Sequence, residues 1–273
     1  MIKENGTIII PIDFSKQSIV GIKNSYNLGR YSKSNLLILH VFNKAEEENK
    51  KELEDLAMAT AKESGLICDF KAIKGDIFLE TDKLAEKIKS SLIVAGLPPL
   101  VKFRSFMNSS SASKFIKNAP CPVLTTRSTI YESGCKNILM PFDLTAESRE
   151  KTGTAIQMAK YFGAEIKIVS VFDPNDSSYE NKLLPYLQQV KKYIKERGVA
   201  CSNKTIASKH LAESIVEYGN KNNCDLIIQM NKPDISIGEL FSGTASQKVV
   251  DISNIPVLSI NPMIRESVST GIH

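Results

Sequence analysis

The chain has 273 residues, of which 42% are hydrophobic and 24% are charged. This composition is normal for a globular protein of one large or two ordinary domains. The net charge is only +5, and the basic residues form no stripe with interleaved aromatics, which excludes the usual footprint of nucleic-acid binding. No apolar run is long enough to span a bilayer, and the N-terminus shows no signal-peptide core. We therefore expect a cytoplasmic protein with neither a membrane nor a nucleic-acid partner.

The first predicted strand lies in a stretch that occurs twice, at Thr7–Ser15 and again at Asn137–Thr145. In each copy a buried-strand pattern leads to a proline, to an aspartate two residues later, and to a hydroxyl residue suited to cap the next helix. The two copies are 130 residues apart, which is about one domain length. Asp13 and Asp143 therefore follow the carboxyl ends of two buried strands, where ligands bind in open α/β sheets.

Strands and helices alternate after each copy, which predicts right-handed β-α-β units. The predicted fold class is therefore α/β, with two tandem doubly wound domains, each a five-stranded parallel sheet with helices on both faces. We place the domains at 1–127 and 137–263, a polar linker at 128–136 and a tail at 264–273. Further strands are expected at 36–42, 66–73, 91–95, 122–126, 166–172, 200–207, 226–229 and 256–260. Helices are expected at Ser109–Asn118, Lys182–Glu196 and Gly243–Ile252, among others, with Pro185 in a first helical turn.

Several short motifs together resemble the universal stress proteins of the UspA type, over about residues 5–127 and 135–262. The motifs are Pro11-Ile12-Asp13-Phe14-Ser15, Pro141-Phe142-Asp143-Leu144-Thr145, His40-Val41-Phe42, Ser170-Val171-Phe172, Gly75-Asp76 and Asn118-Ala119-Pro120-Cys121-Pro122-Val123-Leu124. The resemblance implies a Rossmann-like fold in each half. It also implies that the halves pair through their last strands as an intramolecular pseudo-dimer, which would hide two sheet edges. A further homodimer and unknown protein partners stay open.

Nucleotide-binding members of this family carry a phosphate motif, G-x2-G-x9-G-[S/T], whose glycines let backbone amides approach the phosphates. The aligned residues here are Gly96, Pro99, Ser109 and Ser110 in the first half, and Met230, Pro233, Gly243 and Thr244 in the second. Each half keeps one glycine of three. Because proline lacks an N–H group and methionine adds bulk, we expect both phosphate sites to be degenerate.

The resemblance also implies contacts to the adenosine end of a nucleotide, from Asp13 and Val41 in the first half and from Asp143 and Val171 in the second. The second half keeps the helix start Gly243-Thr244-Ala245-Ser246, so it is the preferred site, and ATP or AMP is the candidate ligand there. The alternative is that both aspartates only cap the edge of the sheet and that the loops are empty.

We find no arranged acid–base pair, no Walker lysine and no G-x-S-x-G or H-E-x-x-H motif, so we do not expect an enzyme. The histidines and the five scattered cysteines show no metal-ligand spacing, and His40 is expected in the core or at a sheet end. The predicted function is that of a non-catalytic stress-response protein. The alternatives are an ATP- or AMP-binding switch with slow hydrolysis, and a two-lobed solute-binding protein.

Overall fold

The computed structural model describes residues 1–44, 48–98, 116, 118–127, 134–176, 178–231 and 243–262. Several predicted features lie outside these residues. They are most of the helix Ser109–Asn118, the motif residues Pro99, Ser109, Ser110 and Pro233, most of the linker 128–136, and the tail 264–273.

Strands and helices alternate as predicted in both halves. The first half contains β1 (Thr7–Ile12), α1 (Lys16–Ser32), β2 (Asn35–Phe42), α2 (Lys50–Ser64), β3 (Cys68–Lys74), α3 (Ile77–Lys87), β4 (Leu92–Gly96) and β5 (Val123–Thr126). The second half contains β6 (Asn137–Pro141), α4 (Ala146–Phe162), β7 (Glu165–Phe172), α5 (Tyr179–Lys195), β8 (Cys201–Ala207), α6 (Leu211–Lys221), β9 (Leu226–Met230), α7 (Gly243–Ile252) and β10 (Val257–Ile260). The α/β fold class is confirmed. Within the described ranges, no helix is both long and apolar enough to cross a membrane.

The strands form one sheet of ten, in the order β3-β2-β1-β4-β5-β10-β9-β6-β7-β8. Neighbouring strands within a half are parallel, whereas β5 and β10 pair antiparallel with Leu124 opposite Leu258. The predicted pairing of the last strands is therefore confirmed, and it merges the two predicted five-stranded sheets into a continuous one. Each of these strands would otherwise expose an unpaired row of backbone groups at a sheet edge.

Helices cover both faces of the sheet, as a doubly wound fold requires. Successive residues of β1 point to opposite faces, so Ile8 and Ile10 join one apolar cluster and Ile9 joins the other. The first cluster includes residues from α1, α2, α4 and α5, and the second includes residues from α3, α6 and α7. Central strands such as β1, β4 and β9 are thus buried from both sides, which explains their near-continuous apolar runs, whereas the edge strands β3 and β8 contain no fully buried residue.

Arg127 follows β5 and reaches across the junction between the halves. The sequence suggested a polar linker from this point, but the Arg127 side chain is buried. Its guanidinium donates to the carbonyl oxygens of Ser253 (3.0 Å), Val250 (3.0 Å) and Asp251 (3.1 Å) at the C-terminus of α7, and to that of Pro98. These carbonyls have no helical partner, and the cation also complements the helix dipole. Arg127 therefore ties the first half to the last helix of the second half.

Asn261 holds the matching position after β10 and makes the reciprocal contact. Its amide donates to the carbonyl oxygens of Ile116 (3.3 Å) and Ala119 (2.6 Å) in the first half. A second asparagine, Asn231, also donates to the carbonyl oxygen of Ile116 (3.2 Å). Each half thus binds the other through hydrogen bonds from the residue that follows its last strand. We call these contacts the polar clamps: the charged Arg127 makes one and the neutral Asn261 makes the other.

Helix α5 begins at Tyr179, three residues before the predicted start, so Pro185 lies inside the helix rather than in its first turn. The reason is that the Tyr179 ring stacks on Phe172, with centroids 5.8 Å apart and planes 13° apart, and becomes buried. Packing of this aromatic pair extends the helix at its N-terminus. Pro185 is exposed, so its missing N–H group is tolerated on the outer side of the helix.

Candidate functional site

The carboxyl edge of the first-half strands holds a cavity of about 450 Å³. The lining residues lie at or just after the carboxyl ends of β1, β2 and β3 and around the starts of α2 and α3: Asp13, Phe14, His40, Val41, Phe42, Asn43, Asn49, Gly75, Asp76, Ile77 and Phe78. Parallel strands place their carboxyl ends at one edge, which is where open α/β sheets bind ligands. The first-half candidates Asp13 and Val41 are therefore brought together at one cavity.

Asp13 is held in place by the start of α1. One of its carboxylate oxygens, Oδ1, accepts hydrogen bonds from the Ser15 backbone N–H (3.1 Å) and from the Ser18 hydroxyl (2.7 Å). Ser15 in turn accepts from the Ser18 backbone N–H and caps the helix. Asp13 is half-buried and lines the cavity, so a carboxylate is fixed there with a defined orientation.

Three aromatic rings form the apolar wall of the same cavity. The Phe14 ring meets His40 edge-on at a centroid distance of 4.8 Å, and His40 lies 6.2 Å from Phe42 at an angle of 24°. His40 is buried, with Nδ1 3.3 Å from the Ile12 carbonyl oxygen. This confirms the predicted placement of His40 in the core at a strand end. Phe14 and Phe42 are only half-buried.

The N-terminus of α3 brings a second carboxylate to the cavity. Asp76 accepts from the backbone N–H groups of Phe78 and Leu79, both at 3.0 Å. These amides would otherwise be available to an anion at this helix start. A ligand at the start of α3 would therefore meet the Asp76 carboxylate and not free backbone amides.

Gly96, the motif glycine retained in the first half, has a packing explanation. A Cβ atom at Gly96 would lie 2.0 Å from the Gln17 carbonyl oxygen of α1. A Cβ atom at Gly21 would lie 3.2 Å from the Gly96 backbone nitrogen. Helix α1 therefore crosses the end of β4 so closely that only glycine fits there. The presence of glycine at position 96 is therefore explained by packing, without a contact to a phosphate.

The second half surrounds its aspartate with packed side chains. A cavity of about 30 Å³ lies beside Asp143, between the end of β9 and the helices α4, α6 and α7. Asp143 is 5% exposed, and its Oδ1 accepts from both the backbone N–H and the hydroxyl of Thr145. Lys151 is also 5% exposed, and its ammonium donates to the Ser148 hydroxyl at 2.9 Å. A buried cation thus occupies the site next to the aspartate.

Two further side chains fill the part of the second-half site where a phosphate chain would pass. Met230 is buried, as its place in the motif suggested, and it lines the small cavity. Gln229 is also buried and donates to the Ser246 carbonyl oxygen at 2.9 Å. Helix α7 does begin at Gly243, as predicted, with Thr244 next in the chain. Ala245 and Ser246 of its first turn line the small cavity together with Met230 and Gln229.

The base end of the second half is closed as well. Val171 is completely buried, whereas its counterpart Val41 is half-buried and faces the open cavity. Tyr179 covers Phe172, the counterpart of Phe42. Neither Tyr179 nor Lys151 was expected at the site from the motifs. When the two halves are aligned, Lys151 lies opposite Gly21 and Gln229 lies opposite Ala95, which is a signal for added bulk in the second half.

Asp82, on α3, has a raised pKa. Burial, and to a lesser degree the nearby Asp76 carboxylate, raises the pKa of Asp82 to about 6. Its Oδ1 is buried without a hydrogen-bond partner. The counterpart in α6 is Val216, an apolar residue. Over the described part of the chain, no group of three His, Cys, Asp or Glu side chains is placed to hold a metal ion.

The fold and the paired sites define a tandem α/β protein with two Rossmann-like halves. The model of the universal stress protein family matches residues 4–127 and 134–261. The chain therefore belongs to the universal stress protein family, with two copies of the family domain.

Individual relatives agree with this assignment. Universal stress protein MJ0531 of Methanocaldococcus jannaschii is 28% identical over 145 residues, which are 48% of this chain and 85% of the relative. A universal stress protein structure from Archaeoglobus fulgidus superposes with a TM-score of 0.76 at 18% identity, covering 94% of this chain and 98% of the other. A structure of a protein from Pseudomonas aeruginosa PAO1, described as functionally unknown, gives a TM-score of 0.69 at 17% identity, covering 94% and 92%. At these identities the structures show a shared fold over both halves.

Proposed function

We propose that this protein is a non-catalytic universal stress protein of the cytoplasm that binds one adenine nucleoside or nucleotide, in the first half. The observation that carries the proposal is a contrast between matched residues: Asp13 and Val41 are half-buried and line a cavity of about 450 Å³, whereas Asp143 and Val171 are buried. The proposal thus departs from the preference for the second half that the sequence motif suggested.

The first-half cavity has the size and chemistry of a nucleoside site. Its volume lies within the usual range for small-molecule pockets, which are mostly apolar with a few fixed polar groups. Here the apolar part is the aromatic wall, and the fixed polar group is the Asp13 carboxylate, an acceptor for an exocyclic amino group. Val41 is half-buried at the same edge and offers its backbone to the base.

The second half then serves as a structural partner. Its aspartate and lysine are both buried and hydrogen-bonded, to Thr145 and Ser148, so a ligand beside Asp143 would have to displace these contacts. Closing β5 against β10 also protects the open half from edge-to-edge association. This division gives the duplicated chain one ligand site and one supporting domain.

We expect modest affinity. Drug-sized ligands gain about 0.3 kcal/mol per non-hydrogen atom, which for adenosine corresponds to a Kd of roughly 50–100 µM. Because the expected contacts lie at the base end, adenosine, AMP and ATP should bind within about tenfold of one another. A ligand inside one half also differs from the arrangement of a two-lobed solute-binding protein, which holds its ligand between lobes.

The test is a calorimetric titration of the intact chain with adenosine, AMP and ATP. We expect one site per chain, loss of binding in Asp13→Ala, and unchanged binding in the matched variant Asp143→Ala once its folding is confirmed. Release of phosphate from ATP should stay at the uncatalysed rate. Binding that survives Asp13→Ala but is lost in Asp143→Ala would show that the second half holds the ligand. Steady phosphate release would favour the hydrolysing switch.

A further inference from the structure

Phe14 has a backbone conformation that bulky residues rarely adopt. Its φ is 58°, in the left-handed region, where a side chain with a Cβ atom is strained. The hydrogen bond from the Ser15 N–H to Asp13 Oδ1 spans Phe14 and fixes this turn. Strained residues that persist at the edge of a cavity suggest a functional role.

The second half shows that the turn alone does not require this conformation. The same hydrogen bond, from the Thr145 N–H to Asp143 Oδ1, measures 3.0 Å and spans Leu144. Leu144 is absent from the described residues with positive φ. The left-handed backbone is therefore a property of the half with the open cavity, where it aims an aromatic ring at that cavity.

The surroundings of Phe14 keep its ring in one position. His40 supports the ring edge-on, and the His40 ring is itself buried and lies against the Ile12 carbonyl oxygen. Phe14 packs on the core with its inner side but stays half-buried, and it lines the cavity directly beside Asp13. A rigid ring with one side open is the surface on which nucleic-acid bases stack.

We propose that Phe14 is the stacking platform that selects a planar aromatic base as the ligand of the first-half cavity. This inference rests on the proposed function and adds the residue that determines the class of ligand. Asp13 supplies the polar contact at the base edge, and Phe14 supplies the face. A ligand with a flat ring is thus preferred over ribose phosphates or other polar molecules of similar size, which have no ring to stack.

The test compares substitutions that separate the ring from the backbone. Phe14→Ala and Phe14→Gly both remove the ring, so each should bind adenosine about tenfold or more weakly than the intact chain. The glycine variant should melt about 2 °C above the alanine variant, because glycine adopts positive φ without strain. At the matched position, Leu144→Ala and Leu144→Gly should both leave adenosine binding unchanged. Because Leu144 does not have a positive φ, Leu144→Gly should melt at a lower temperature than Leu144→Ala.

A ligand series supplies the second arm of the test. Adenosine should bind to the intact chain, and ribose 5-phosphate, which lacks the base, should not. If Asp13→Ala abolishes adenosine binding while both Phe14 variants bind like the intact chain, the stacking assignment is overturned and the proposed function stands. If the intact chain binds neither adenosine nor its phosphates, the proposed function fails, and the assignment of Phe14 fails with it. Tighter binding of ribose 5-phosphate than of adenosine would also overturn the inference.

Discussion

The two halves share their strands, their crossovers and the repeated Pro-x-Asp motif, yet they use the carboxyl edge of the sheet in opposite ways. The first half leaves a cavity of about 450 Å³ beside the half-buried Asp13 and Val41. In the second half Asp143 and Val171 are buried, and Lys151, Gln229 and Met230 border a cavity of only about 30 Å³ beside Asp143. Residues that build the fold are thus retained in both copies, while those that create free volume are retained in one. The comparison teaches that a motif residue is informative only together with the residues packed around it.

The retained glycines illustrate this point. Gly96 looks like the remnant of a phosphate loop, but its lack of a side chain is needed for the close approach of α1. Gly243 looks like a good helix start for a phosphate, but Ala245 and Ser246 of that first turn border a cavity of only about 30 Å³, shared with Met230 and Gln229. The retained helix start Gly243-Thr244-Ala245-Ser246 therefore favoured the half whose aspartate is buried.

Replacing Gly96 should lower the free energy of unfolding more than the other substitutions proposed below. In Gly96→Ala the new Cβ would fall 2.0 Å from the Gln17 carbonyl oxygen, so α1 must move or the chain fails to fold. We expect the free energy of unfolding to fall by about 4 kcal/mol, measured by urea denaturation. Gly21→Ala is the control, since its Cβ would meet its nearest neighbour at 3.2 Å, and it should cost about 1 kcal/mol. A loss below about 1 kcal/mol for Gly96→Ala would contradict the packing explanation.

The two polar clamps at the junction should differ in strength. Arg127→Met keeps the length of the side chain but leaves four carbonyl oxygens without their donor. We expect a loss of about 3 kcal/mol, because hydrogen bonds from a charged group are the stronger ones and the abandoned carbonyls are buried. The matched variant Asn261→Leu removes a neutral donor and should cost about 1–2 kcal/mol. Equal losses in urea denaturation would show that charge adds nothing to the clamp.

A smaller change in stability is expected when Asp82 is replaced by valine, the residue type at the matched position Val216 of the second half. Since the pKa of Asp82 is raised to about 6, the folded protein binds its proton more tightly than the unfolded chain does. The stability from this group is present below about pH 4 and is lost as pH rises through about 6. Asp82→Val should therefore stabilise the protein at pH 7 by about 1 kcal/mol, with the shift discounted for partial exposure.

The pH dependence provides the control for this prediction. The gain from Asp82→Val should decline between about pH 6 and pH 4, as the native carboxyl becomes protonated. Thermal melts of both proteins at a series of pH values measure the difference. A gain that does not change with pH would show that better packing, and not titration, is the cause.

Sequence reasoning predicted the strand and helix order and the pairing of β5 with β10, because these depend on periodicity and on the need to hide sheet edges. It could not locate the free volume, which depends on how far a helix stands from the sheet. Lys151 on α4 matches Gly21 on α1 in the sequence, and only the fold shows that Lys151 is buried and lines the small cavity beside Asp143. Arg127 was missed for a similar reason, since a basic residue after a strand is usually solvated.

The most direct test of the unequal halves is a crystal structure of the intact chain soaked with adenosine. The account predicts density for one adenosine in the first-half cavity, with the base against Phe14 and its amino group within hydrogen-bonding distance of Asp13. It also predicts that Lys151 and Met230 keep their positions and that no ligand lies beside Asp143. Density for adenosine beside Asp143, with Lys151 and Met230 displaced, would contradict it.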